Sequence, residues 1–154
     1  MNTNEIRFYL HNYYNLKREL KNLQEALDTY KKMNISGLQA TIITKEPKTH
    51  NNTSKTELMA LTRIEYIIDL ENEIDGKMRL IKAIDSVYYY LKEPARTILE
   101  MRYFITPMQN DIRQPKYSWD KISLEVDKSV AYCKEIDCKI VKKIQEKLLG
   151  DELK

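Results

Sequence analysis

The sequence predicts an all-α protein, and three observations carry that expectation. Glycine and proline are scarce, 3 and 4 in 154 residues, so little of the chain is forced out of helical geometry. Apolar residues recur at steps of three and four over long stretches, the spacing that lines one face of a helix. Two proline-containing polar segments, 44–53 and 106–117, divide those stretches from one another.

Residues 1–33 form the first expected element, a long coiled-coil-like helix from about residue 3. Ile6, Tyr9, Tyr13, Leu16, Leu20, Leu23, Leu27 and Tyr30 make a heptad seam, with Lys17, Arg18, Glu19, Lys21 and Glu25 kept off it. Such a seam needs a partner helix. Tyr13, Leu16, Leu20, Leu23 and Leu27 would serve a homodimer, or the same residues would meet the second long helix of their own chain. The sequence leaves both open.

Residues 34–53, NISGLQATIITKEPKTHNNT, read as a linker, because Gly37 and Pro47 disfavour helix and the segment turns polar from Thr44. A spacer helix is expected over 54–92. Ser54 and Glu57 have the spacing of a capping box, in which the hydroxyl and the carboxylate each take one free backbone N–H. Leu61, Ile64, Ile68, Met78, Ile81 and Tyr88 are expected on its dry side, Glu71, Glu73 and Asp75 on a solvated face, and Gly76 at a soft point.

Residues 93–154 make the last unit. Glu93-Pro94 ends the spacer, since proline disfavours helical geometry in the residue before it. The segment PARTILEMRYFI then gives a helix with Ile98, Leu99, Met101, Arg102 and Phe104 on its apolar side. After the loop TPMQNDIRQPKY comes YSWDKISLEVDKSVAYCKEIDC, residues 117–138. Ser118 is placed to cap a short helix whose buried side is Trp119, Ile122 and Val126. A tight turn follows at Asp127-Lys128, because aspartate tolerates the left-handed backbone that such turns use. Ser129 caps a longer helix with Cys133, Ile136, Ile140 and Ile144 inward, which Gly150 is expected to end.

The functional classes narrow accordingly. No Gly-rich phosphate loop, paired nucleophile and base, or metal-ligand cluster is present, so no enzyme, metal or cofactor is expected. Cys133 and Cys138 lie roughly 140° apart on one helix and do not suit a mutual disulfide, which fits reduced cytoplasmic thiols. No apolar run nears the roughly 18 residues of a membrane span. The opening MNTNEIRFYL lacks a basic-then-apolar leader. The eleven tyrosines read as core and interface fillers.

The 117–138 stretch points instead to double-stranded DNA. Within 113–147 there are 9 basic and 6 acidic residues, a modest basic bias. The outward face of the last helix presents Val130, Ala131, Lys134, Glu135 and Cys138, the positions a recognition helix offers to base edges. Ser129 at its N-terminus suits a phosphate. Arg113, Lys116, Tyr117, Lys121, Lys128 and Lys142 are placed to follow the backbone.

SWDKISLEVDKS with the long helix after it resembles the sigma-factor region-four type of helix-turn-helix, Ile122-Ser123, Val126-Asp127 and Ser129 falling at its pattern positions. ARTILEMRYF, with Arg102-Tyr103, is similar to the helix packed behind that unit. NNTSKTELMALTRIEYIIDLENEIDGKMRLIKAI is similar to the middle of the RinA-type phage transcriptional activators, so the resemblance covers about residues 50–149. It implies a phage- or prophage-encoded activator of late packaging and morphogenesis genes that binds a promoter or operator, and the sequence leaves open whether RNA polymerase is a further partner. Recognition helices of that type open with arginine or other polar residues; Val130 and Ala131 stand there instead and would meet thymine methyls. The loop 105–117 is longer than that family's connector. Two other classes stay open: a small-terminase-like packaging subunit, and a coiled-coil adaptor without DNA binding.

Overall fold

The computed structural model describes residues 1–43, 53–104 and 117–152, with the backbone alone for 34–43, 53–58 and 151–152. Among these residues there are helices and no strand: α1 (Thr3–His11), α2 (Tyr13–Ile43), α3 (Thr53–Tyr90), α4 (Ala95–Leu99), a π-helical turn (Glu100–Phe104), α5 (Trp119–Val126) and α6 (Val130–Glu152). None of the described helices is long and apolar enough to cross a membrane. The chain divides into two compact units, one of Met1–Lys17 with Arg79–Lys154 and one of Arg18–Met78.

The first unit holds most of the core. Asn2 starts α1 with a full capping box: its side chain accepts from Glu5 N and its own N–H donates to the Glu5 carboxylate, both at 2.8 Å. The single helix expected over 3–33 is broken at Asn12, whose side-chain amide donates to Phe8 O at 2.8 Å. An asparagine amide that bonds a carbonyl four residues back competes with the helical ladder at that point. Past the break, Tyr13 stacks on Phe104 with ring centroids 4.6 Å apart, and its hydroxyl donates to Asp85 of α3.

The π-helical turn explains how one short segment serves three neighbours. Its wider winding lets Met101, Tyr103 and Phe104 all be buried on different sides. Met101 joins Ile98, Ile122 and Cys133 in the core under α5 and α6. Tyr103 reaches α6, and Phe104 reaches α2.

The second unit pairs the lower parts of α2 and α3. Tyr30 meets Tyr66 edge-on at 4.9 Å, Lys31 bonds Glu71 at 2.6 Å, and Lys77 bonds Glu19 at 3.1 Å. The partner found for this part of the heptad seam is therefore the chain's own second long helix. Leu20, Leu23 and Leu27 are half-buried, whereas Tyr13 and Leu16 in the first unit are buried.

Several boundaries and faces differ from expectation. α2 continues through Gly37 to Ile43, into the expected linker, since one glycine costs only about 1 kcal/mol in a helix. α3 starts at Thr53, and the side chains of Ser54 and Glu57 lie outside the described residues. It runs unbroken through Gly76, and α6 runs past Gly150 to Glu152. Of the acidic run expected on a solvated face, Glu73 and Asp75 are exposed and Glu71 is half-buried, with Glu71 and Glu73 also pairing with Lys31 and Lys77. The largest correction concerns α3, where Leu61, Ile64 and Ile68 are 56, 53 and 47% exposed, while Leu70, Ile74, Leu80, Ile84 and Val87 are buried. Residues 59–74 are apolar around much of the helix, so the pattern does not single out the side that α2 covers. Tyr89 and Tyr90, expected as fillers, are also exposed.

Candidate nucleic-acid interface

The site is built by two helices and the turn between them. Ser118 caps α5 by accepting from Lys121 N at 3.3 Å. Asp127 ends it in the left-handed region, φ 53° and ψ 47°. Lys128 N donates to Ser123 O at 3.2 Å, and the Ser123 hydroxyl donates back to Lys128 O. The turn is thus closed from both sides by one serine. Ser129 then accepts from Tyr132 N at 3.1 Å and caps α6.

Ile122 and Cys133 are fully buried between the two helices, with Tyr117, Trp119, Val126, Tyr132 and Ile136 partly buried around them. Burial pushes the Cys133 thiol up, which makes it a packing residue and not a reactive one. Arg102, from the π-helical turn, lies 4.5 Å over the Trp119 ring and donates to Tyr117 O at 3.2 Å. Its Nε is buried with no hydrogen-bond partner among the described residues.

Most of the predicted interface residues are exposed. Ala131, Glu135, Cys138 and Lys142 are exposed along a single ridge of α6, with Lys134 exposed beside it and Val130 half-buried. Lys128 and Ser129 are exposed at the turn, and Lys128 lies 5.9 Å from the Tyr132 ring. Lys121 is exposed on α5 and sits 4.4 Å over the ring of half-buried Tyr117. Arg113 and Lys116 lie outside the described residues. Glu135 is held by Lys139 at 2.6 Å, and that hydrogen bond keeps its carboxyl below the usual range.

What the sequence reasoning missed is a buried polar cluster beneath this ridge. Asp137 is 3% exposed and accepts from Tyr103 Oη at 2.7 Å and from Arg7 Nε and Nη2 at 3.2 and 3.1 Å. Arg7 Nη2 also donates to Cys138 Sγ at 3.2 Å. Burial, with Asp137 second, pushes the Tyr103 hydroxyl far above the ordinary tyrosine range, so it stays a donor. Arg7 and Asp137 are 130 residues apart, beyond any local pattern. One signal was present: Asp137 falls between Cys133 and Ile140, at an inward position of the α6 stripe, where a polar residue needs a partner.

A cleft of about 280 Å³ opens beside the cluster, bordered by Arg7, Arg102, Trp119, Lys134 and Cys138. Among the described residues no group of His, Cys, Asp or Glu side chains is arranged to hold a metal ion. Compared with protein-family models, curated proteins and solved structures, the chain matches none of them.

Proposed function

We propose that this chain is a sequence-specific, DNA-binding transcription regulator in which α5 and α6 act as a helix-turn-helix. One observation carries the reading. Two serine-capped helices joined at a left-handed Asp127 leave the ridge Ala131, Glu135, Cys138, Lys142 open to solvent, with Lys134 beside it and Lys121 and Lys128 exposed on α5 and the turn. A major groove admits one helix, and exposed lysines at its edges suit phosphates. The resemblance to sigma-factor region four and to RinA-type phage activators supports a promoter as the target, late phage genes as the context, RNA polymerase as a further partner and the cytoplasm as the place.

The experiment is a gel-shift titration on promoter-length duplexes with Lys128→Ala plus Lys134→Ala. The double variant is expected to bind more weakly and with a shallower salt dependence, because each lost phosphate contact lowers the number of released counterions by about one. Unchanged binding overturns the assignment. A helical packing module without DNA affinity is the second reading, favoured by the Glu135–Lys139 pair in the middle of the ridge. Absence of salt-sensitive binding by the wild type would select it.

A further inference from the structure

We infer that a groove along α6 receives the exposed acidic and apolar stripe of α3 from a second copy of this chain. The groove is formed by two adjacent cavities of about 460 and 320 Å³ that share Leu91, Lys143 and Glu146 in their walls. Its floor is apolar, with Val87, Leu91 and Ile140, and its rim carries Lys142, Lys143 and Lys147 against Glu146. None of these three lysines has an ion-pair partner among the described residues.

The stripe is its chemical complement. Leu61, Ile64 and Ile68 point the same way from α3 and are each about half exposed, which leaves an apolar strip open to solvent. Glu65 lies beside them, Asp75 in line two turns further on and Asp69 roughly 105° around the helix, and none is ion-paired among the described residues. Arg63 sits roughly 135° around the helix from the stripe.

The lengths agree. The groove runs from Ile136 to Gly150, roughly 21 Å of helix, and the stripe from Leu61 to Ile68 takes roughly 10 Å. Stripe against stripe would set Glu65 of one copy near that of the other. Stripe in groove sets it near lysines, and like charges brought together select against the first arrangement. The contact is head-to-tail, so it propagates from copy to copy into rings or filaments.

Sedimentation equilibrium of the full chain without DNA tests this, independently of any DNA-binding role. The wild type is expected to gain mass with concentration and to lose it as salt is added. Leu61→Lys with Ile68→Lys, and separately Lys143→Glu with Lys147→Glu, should each weaken association at least about tenfold. Both pairs replace exposed or groove-lining side chains; if the glutamate pair melts early, Lys143→Gln with Lys147→Gln serves instead. Mixed together, the two defective chains still own one good stripe and one good groove, so they should form a pair and stop there. A wild type that stays monomeric, a groove variant that still associates, or a mixture that stays monomeric would each overturn the inference.

Discussion

Two regions of this molecule use the same kind of helix to opposite effect. In the unit of residues 1–17 and 79–154, helices meet from several directions and enclose Ile6, Leu10, Ile84, Ile98, Ile122 and Ile144 completely. In the unit of residues 18–78, only Leu70 and Ile74 are buried among the described apolar residues, and its cross-helix contacts include ion pairs on half-exposed side chains. A helix with a single neighbour can cover one stripe only, whereas a helix among several is wetted on one side alone. The ion pairs differ for the same reason. Asp137 is closed off from water and held by Tyr103 and Arg7, while Glu71 and Lys31 remain in reach of solvent.

Breaking each core in turn is expected to give the largest contrast. Ile122→Ala should lower stability by about 4 kcal/mol, because it leaves a cavity between α5, α6 and the π-helical turn. Leu27→Ala, at a half-buried seam position, should cost about 1 kcal/mol or less. Urea unfolding followed by circular dichroism measures both. Equal losses would mean that the second unit is as tightly packed as the first.

The ion pairs give the next contrast. Asp137→Ala should cost about 3 kcal/mol, since it strands a guanidinium and a buried hydroxyl. Glu71→Ala should cost about 0.5 kcal/mol, and less in high salt. The Asp137 variant should also loosen α1 from α6, seen as faster amide exchange in residues 3–11.

Alkaline titration sharpens the comparison with a smaller effect. Burial and the neighbouring carboxylates Asp137 and Asp85 hold the Tyr103 and Tyr13 hydroxyls far above the ordinary tyrosine value. A folded pKa raised above the unfolded one contributes stability that is complete below the unfolded value, about 10 for tyrosine, and is lost as pH rises beyond it. Melting temperature should therefore fall above about pH 10, and Tyr103→Phe should flatten that fall.

Much of the helical framework, the two serine caps and the outward ridge of α6 can be read from local spacing, because each depends on residues within one or two turns. Ser118, Asp127 and Ser129 show this well: cap, left-handed stop and cap are all set by side chains bonding their own backbone. Asp137 was legible only as a polar residue at an inward position. Arg7 was not legible at all, since nothing near it in sequence marks it as the partner.

The amino-acid sequence by itself determined that the chain is helical, where most helices start, and which side of α6 faces outward, since helix geometry repeats over a few residues. Tertiary structure alone decided that the lower seam meets α3 of the same chain, and that Leu61, Ile64 and Ile68 face water. A helix rich in apolar residues all around has several sides it could bury, and only the neighbour that arrives selects one.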